Sequence, residues 1–354
     1  MDNDDLTQGV VVPGLMERLA QGPVVCAEGY LFEFERRGYL QAGAFVPEIV
    51  LERPDLVRVL HEEFVHAGSD VVLAFTYYGH REKLRVIGKE NLLEPLNRDA
   101  LALAMDVARA TGTLAAGNLC NTNAYAPDEE SARTVRAMFD EQMRWVAEAG
   151  ADFVVAETFS WVGEALIALE AIKAAGMTAV VTLAYHQSEH SRDGWTAEEA
   201  CKRLADAGAD VVGLNCIRGP QTMLPMIARV REAVDVPVAA LPVPYRTTPD
   251  QPSFQSLRDP GCGCLPGDRP FPTALDPFTC NRYEIAEFGR DAYALGVNYL
   301  GLCCGAGAHH IRSLAEGLGR IPPASHFSPD MSKHAFLGTD ARLKANNRAY
   351  ARDL

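Results

Sequence analysis

Short apolar runs rich in β-branched residues recur along the chain, separated by longer stretches with helical periodicity. The runs fall at Pro23-Val24-Val25-Cys26, Val71 to Phe75, Leu114 to Asn118, Asp152 to Glu157, Ala179 to Ala184, Asp210 to Cys216, Val238 to Pro242 and Asn298 to Cys304. Within each run apolarity is largely continuous rather than alternating, as in strands buried on both faces of a parallel sheet. Ser131 to Ala149, Val162 to Ala175 and Ala197 to Ala207 read as helices. Several helical stretches end in a common signal: His66-Ala67-Gly68, Glu148-Ala149-Gly150, Ala174-Ala175-Gly176, Asp206-Ala207-Gly208 and Leu295-Gly296. A glycine just past a helix takes the left-handed cap and hands the chain to the next strand. Eight such units predict an α/β chain folded as a single (β/α)8 TIM-type barrel rather than an open doubly wound sheet.

Two regions break the repeat. Thr247 to Cys280 is rich in Pro and Gly and too long for a simple turn, which predicts a long loop over the strand ends after strand 7. From Pro322 onward no strand signal remains, and Lys333 to Leu354 predicts a C-terminal helical arm. The expected division is a barrel domain over 1–321 and an arm over 322–354 that makes an oligomer contact.

Composition narrows the class. A hydrophobic fraction of 48% over 354 residues supplies a large core, and a net charge of −14 argues against nucleic acid or an anionic membrane as partner. No apolar run approaches the ~20 residues of a membrane span. The start, Met1-Asp2-Asn3-Asp4-Asp5, lacks the basic and apolar regions of a signal peptide. The expected compartment is the cytoplasm, where thiols stay reduced. The 9 cysteines then read as buried residues and ligands rather than a disulfide framework.

In a barrel the chemistry sits where the strands end. The polar residues at those ends are Glu28, Thr76-Tyr77-Tyr78, Asn118, Glu157-Thr158, His186, Asn215-Cys216 and Cys303-Cys304. A lone cysteine at a strand end is commonly a small buried hydrophobe. The pair Cys303-Cys304 running into Gly305 is different, because adjacent strand residues face opposite ways unless the strand is breaking into a loop. With Cys216 on the same rim, three thiols make a zinc set with one coordination position open. An acid such as Glu157, closing the run Phe153-Val154-Val155-Ala156, is costly unless paired or functional. Tyr77 and Tyr78 read equally as core caps or rim aromatics. His309-His310 reads as the opening of the last helix, and Cys262-Gly263-Cys264, in the long loop without a partner pair, as structural. Cys26, Cys120, Cys201 and Cys280 carry no assignment.

A metal held by three thiolates is soft and suits activation of another thiol more than generation of hydroxide. Zinc holds a substrate thiol as its thiolate well below the free pKa of roughly 8.5. Alkyl transfer to a thiol is the reaction such a site serves.

These residues resemble a known family. Asn215-Cys216 after an apolar strand, with Gly301-Leu302-Cys303-Cys304-Gly305 near the C-terminus, is similar to the zinc-dependent homocysteine S-methyltransferases, and most of all to their betaine-using branch. Further similar stretches are Glu35-Arg36-Arg37-Gly38-Tyr39-Leu40-Gln41-Ala42-Gly43, Phe75-Thr76-Tyr77-Tyr78, Ala156-Glu157, Ala292 to Ile311 and Pro322-Pro323-Ala324-Ser325, so the resemblance runs from about Gly22 over nearly the whole chain. It implies a (β/α)8 barrel with Cys216, Cys303 and Cys304 as zinc ligands, homocysteine sulfur on the metal, and Glu157 on the homocysteine amino group. Thr76, Thr158, Asn215 and Glu28 join the implied substrate-binding set. Phe45 stands where the family has a donor-site tryptophan, with Tyr77 and Tyr78 as an aromatic pair beside it. Aromatic faces attract a quaternary ammonium, worth ~0.5–2 kcal/mol per contact.

Three positions depart from the family pattern. Ala27-Glu28-Gly29 replaces Asp-Gly-Gly, Thr158 replaces the tyrosine of the betaine enzymes, and Phe45 replaces tryptophan. The implied activity is methyl transfer from a small onium donor, glycine betaine or a related betaine first, to homocysteine, forming methionine. The alternatives are a sulfonium donor (S-methylmethionine or S-adenosylmethionine) or a non-catalytic zinc- or thiol-binding relative. The implied partners are homocysteine, the donor and further copies of the chain in a homodimer or higher homo-oligomer, with neither nucleic acid nor membrane.

Overall fold

The computed structural model describes residues 13–259, 261 and 269–344. Eight parallel strands close into a barrel in chain order. They are β1 (Val24–Ala27), β2 (Val71–Leu73), β3 (Leu114–Cys120), β4 (Phe153–Phe159), β5 (Ala179–Leu183), β6 (Val211–Asn215), β7 (Val238–Leu241) and β8 (Tyr299–Leu302). Closure is made by β1 on β8, with Val24 opposite Tyr299 and Ala27 opposite Leu302. Every residue of all eight strands is buried. One face fills the barrel and the other meets the helices, which is why the runs are continuously apolar.

The helices begin and end as their sequences dictate. Asp128 caps Glu129–Ala149 by accepting from the Ser131 N–H, and Thr196 with Glu199 forms a capping box on Ala197–Asp206. At the other ends Gly68, Gly150, Gly176, Gly208 and Gly296 all have positive φ. Two glycines inside strands serve close approach instead. A Cβ at Gly213 would stand 2.0 Å from the Ala239 carbonyl oxygen, and one at Gly301 2.0 Å from that of Cys26. Both belong to the strands that lead into the cysteines.

The loop after β7 folds back over the strand ends as expected, with Phe254, Leu257 and Leu275 buried and the Phe254 N–H bonded to the Ile217 carbonyl at 2.8 Å. Cys262 and Cys264 lie outside the described residues. The C-terminal region differs from the helical arm that was expected. Among described residues 322–344 there are only two 3-10 turns, Pro323–Phe327 and Met331–Lys333. Pro322, Pro323 and Pro329 remove donors and fix φ, which keeps α-helix out of 322–332; of the helix expected from Lys333, the described part to residue 344 is turns and irregular chain, and the rest lies outside the described residues. Among the described residues, no helix is long and apolar enough to cross a membrane.

Candidate metal centre and the two clefts beside it

The barrel's ladder does not stop at the last strand residue. Cys216 N–H bonds to the Leu241 carbonyl at 2.8 Å, Cys303 N–H to that of Pro242 at 2.9 Å, and Glu28 N–H to that of Leu302 at 3.0 Å. Three residues of the rim are thus fixed by backbone bonds to neighbouring strands. The Sγ atoms of Cys216, Cys303 and Cys304 lie within 4.8 Å of one another, and those of the adjacent pair are 3.9 Å apart. All three are buried free thiols.

Adjacent cysteines face one way because β8 ends at Leu302 and the chain turns. The Ala306 N–H returns to the Cys303 carbonyl at 3.1 Å, and Gly305 sits at φ +96°. A Cβ on Gly305 would also stand 2.2 Å from the Tyr245 hydroxyl. The same turn is braced by Arg36, whose guanidinium donates to the Gly305 carbonyl at 2.9 Å and to the Tyr245 hydroxyl at 2.7 Å. Hydrogen bonds from Cys303 and Cys304 pull the Cys216 thiol well below the ordinary value. Burial holds Cys303 up, and the bond it shares with Cys216 holds Cys304 up. The direction at Cys216, toward the thiolate, is the one a soft cation favours.

On one side of the thiols lie two buried carboxylates. Glu157 Oε1 accepts from Asn118 Nδ2 at 2.7 Å, and Oε2 accepts from Asn215 Nδ2 at 2.8 Å and Thr158 Oγ1 at 3.1 Å. Glu28 Oε2 lies 3.4 Å from Asn215 Nδ2, while Oε1 is enclosed without any protein partner. Carboxylate oxygens of Glu28 and Glu157 come within 4.8 Å of each other and of Cys303 Sγ. Burial pushes the Glu157 carboxyl up to about 7. Burial, and then the charge of Glu157, push Glu28 well up too. Two buried acids with an orphan oxygen and no cation paired to them among the described residues form a seat for a small cation. The cleft between them, lined by Tyr30, Phe75, Tyr77, Asn118, Cys303 and Cys304 as well, has a volume of ≈ 10 Å³, about the room of one water or one ammonium.

On the other side is a larger cavity of ≈ 300 Å³ lined by Phe45, Tyr77, Tyr78, Trp161, Phe254, Phe271, Thr158, His186, Arg192, Cys216 and Cys304 among others. Tyr77 and Cys304 belong to both clefts. Tyr77 and Tyr78 have ring centroids 4.5 Å apart, and Phe45 stacks on Phe32 at 5.8 Å. Among the described residues six that are not glycine have positive φ: Phe45, Tyr78, Asn123, Thr158, Cys216 and Ile217. All six line this cavity. Backbone strain of that kind costs of order 1–3 kcal/mol per residue and persists where a site requires it.

The rim therefore brings together Glu28, Glu157, Thr158, Asn215, Cys216, Cys303, Cys304, Phe45, Tyr77 and Tyr78. Asn215 reaches neither cleft wall; it ties Glu157, Thr158 and Glu28 together, and its Oδ1 accepts the Thr158 N–H at 2.9 Å. Thr76 is not at the site surface. Its hydroxyl donates to the Asn118 carbonyl at 2.9 Å and braces β2 against β3. His186 lines the large cavity 3.3 Å from Ser160 Oγ, while His310 is buried in the last helix and bonds to Gly307 N–H and the Cys280 carbonyl. Sequence reading missed Trp161, Arg192, Phe254 and Phe271. All four come from loops, where a single side chain has no periodicity to announce it.

A closed parallel barrel with three clustered thiols, two acids and an aromatic cavity at its C-terminal rim defines a (β/α)8 enzyme with a candidate metal site at its strand ends. The chain belongs to the homocysteine S-methyltransferase family, whose model matches residues 32–318, and is an S-methyltransferase. It is 36% identical over 351 residues to the S-methylmethionine–homocysteine S-methyltransferase of Pongo abelii, covering 96% of this chain and 90% of that one. It is 35% identical over 342 residues to betaine–homocysteine S-methyltransferase 1 of Danio rerio, covering 93% and 81%. The metallated form of a homocysteine methyltransferase from Escherichia coli shares the fold, with a TM-score of 0.66 at 19% identity over 84% of this chain and 98% of that one.

Proposed function

We propose that the chain transfers a methyl group from a small onium donor, glycine betaine or S-methylmethionine, to the thiol of homocysteine, giving methionine. One observation carries the reading: the thiol cluster sits between an acid-lined cleft the size of an ammonium and an aromatic cavity, and Cys304 faces both. The two named donors are those of relatives at 36% and 35% identity.

The donor set fits zinc: three buried soft ligands within 4.8 Å of one another, with a face open to both clefts. Zinc held by Cys216, Cys303 and Cys304 would supply a Lewis acid that keeps the acceptor sulfur as a thiolate at neutral pH. The remaining work falls to the chain. Glu157, oriented by Asn118, Asn215 and Thr158, takes the acceptor's ammonium, and Glu28 Oε1 adds the second acceptor of hydrogen bonds. Glu28 thereby supplies, from one residue further along and with a longer side chain, the acid that is missing at Ala27. The rings of Phe45, Tyr77 and Tyr78 hold the onium group and exclude water. The methyl then moves in line: a C–S bond forms at the acceptor, the C–N or C–S bond of the donor breaks, and its electron pair stays on the donor heteroatom. The acceptor proton has left before this step, so no general base is required at the methyl.

A centre that works through three thiolates needs a reducing compartment such as the cytoplasm. Exposed Ile321, Phe327 and Leu337 on the C-terminal segment support an oligomer contact there. The test is methionine formation from homocysteine, read by mass spectrometry, with the zinc-loaded protein and each donor in turn. Turnover with either donor is expected. The reading fails if neither donor gives methionine, or if Cys303→Ala keeps both full zinc and full turnover.

A further inference from the structure

The acid-side cleft collects acceptors that nothing in the chain satisfies. Glu28 and Asn118 both line it, and Glu28 Oε1 and Asn118 Oδ1 are buried without a hydrogen-bond partner. The Asn118 amide is fixed in that sense, because its Nδ2 is the donor to Glu157 Oε1 at 2.7 Å. No lysine, arginine or histidine is among the residues lining the cleft. A carboxylate oxygen of Glu28, one of Glu157 and Cys303 Sγ lie within 4.8 Å of one another, all on buried residues. Cys303 is also one of the three clustered thiols. Its sulfur therefore stands at the junction of two donor sets, one of thiols alone and one of thiol with carboxylates.

An ammonium matches the charge of one carboxylate, whereas a divalent ion matches both. We propose that this cleft is a second metal site, for a zinc-like divalent cation, which shares the Cys303 sulfur with the three-thiol centre and excludes the acceptor while it is filled. The donor set selects among cations. Two carboxylates and a thiolate suit zinc, a borderline ion content with four ligands, and Asn118 Oδ1 is a further oxygen beside them. Magnesium keeps an octahedral shell with several waters, and calcium takes about six to eight oxygens. A cleft of ≈ 10 Å³ has room for neither shell. A thiolate bridges two ions through separate lone pairs, so filling the second site leaves the first intact. The identity of what is excluded rests on the methyl-transfer reading, in which the acceptor's ammonium takes the same oxygens. The consequence is control by metal supply: an excess of the ion closes the acceptor's seat.

Cobalt tests it, because zinc outranks cobalt at a given site and a cobalt spectrum reports its ligands. The full, zinc-loaded chain is titrated with Co2+ and its metals are counted by elemental analysis. One zinc and one cobalt per chain are expected, with a thiolate-to-cobalt charge-transfer absorption. Glu28→Gln should weaken the cobalt about tenfold or more and remove the absorption, while the zinc stays. Saturating methionine should displace the cobalt, since its ammonium competes for the cleft. The proposal is overturned if no second metal binds, if cobalt enters only by displacing zinc, if it binds without the absorption, or if Glu28→Gln keeps both cobalt and absorption. Should Glu28→Gln fail to fold, the absorption in the native chain decides alone, because carboxylates on the surface give none. Cobalt that binds as expected but ignores methionine removes the ammonium seat from the methyl-transfer reading and leaves the second metal standing. Methionine formation by a chain that takes no second metal removes only this proposal.

Discussion

The two sides of the rim are built by different means. The thiol and acid side stands on strand ends: Glu28, Cys216 and Cys303 each carry a backbone bond to the adjacent strand, and Glu157 lies within β4 itself. The aromatic side is assembled from loops, with Phe45 from the segment that follows the short helix Tyr30–Arg36 after β1, Trp161 and Arg192 from those after β4 and β5, and Phe254 and Phe271 from the long excursion after β7. A chemical step that needs sub-ångström placement sits on the rigid half, and the part that selects the donor sits on the half that can change without disturbing the barrel. Of the departures from the family pattern, Phe45 falls on the loop-built wall, whereas Thr158, within β4, and Ala27-Glu28, at the end of β1, fall on the strand-built half.

The largest effect expected from breaking the rigid half is at the thiols. Cys216→Ser, Cys303→Ala and Cys304→Ala each remove a soft ligand at a position past the last strand residue, so the barrel should survive. Zinc content should fall, and methionine formation with it by about a thousandfold, ~4 kcal/mol. Circular dichroism, zinc analysis and the methionine assay on the same preparations separate loss of metal from loss of fold. Removing zinc with a chelator and restoring it should reproduce the loss and reverse it.

The next effect is at the acids. Glu157→Gln keeps the shape but gives up the charge that faces an ammonium and turns one acceptor oxygen into a donor, which Asn118 meets only by flipping its amide to present Oδ1; the loss is ~1.5–3 kcal/mol or about 10- to 100-fold in kcat/KM for homocysteine. Glu28→Gln should act in the same direction and less strongly, because only one of its oxygens has a partner now. If Glu28→Gln leaves the homocysteine KM unchanged while Glu157→Gln raises it, the acceptor is held by a single acid and the longer side chain at Glu28 is only filling space.

A third change tests whether the turn after β8 is as rigid as its contacts imply. Gly305→Ala adds a Cβ 2.2 Å from the Tyr245 hydroxyl at φ +96°. The turn has to shift, at a cost of ~1–3 kcal/mol, and the brace from Arg36 to Gly305 and Tyr245 shifts with it. A lowered melting temperature together with weaker zinc binding is expected. A lowered melting temperature with unchanged zinc affinity would mean that the cysteines are placed by the barrel alone.

The same division governs what could be read from the chain. All eight strands were legible, because a strand buried on both faces writes its burial directly into continuous apolar residues, and the glycines after the helices mark where each strand begins. The thiols were legible because they follow those strands at once. Trp161, Arg192, Phe254 and Phe271 were not, since residues in loops are placed by contacts distant in sequence: Phe254, for instance, is anchored to Ile217. The strained backbone at Cys216, Ile217 and Thr158 was also invisible, as nothing in a β-branched or thiol side chain announces a positive φ. Thr76 was misjudged for a related reason: its position at a strand end was legible, but its hydroxyl turns to the Asn118 carbonyl rather than to the cavity.

The smallest effect expected is the one that bears most directly on the loop-built half. Phe45 stands in the cavity wall at φ +54°, stacked on Phe32 at 5.8 Å. Phe45→Trp enlarges the ring face presented to an onium group without adding charge, and indole is the strongest of the aromatic partners for a cation. A gain of ~0.5 kcal/mol, two- to threefold in donor KM, is expected for glycine betaine, with the homocysteine KM and zinc content unchanged. Since the backbone at this position is already left-handed, the substitution adds no new strain there; the wider ring must be accommodated by Phe32. If donor KM worsens instead while homocysteine binding holds, the cavity is matched to the smaller ring, and its shape rather than its π surface sets which donor enters. If homocysteine binding changes as well, the two halves of the rim are mechanically coupled through Tyr77 and Cys304, the two residues named above that line both clefts, and the separation between a rigid chemical half and an adaptable donor half does not hold.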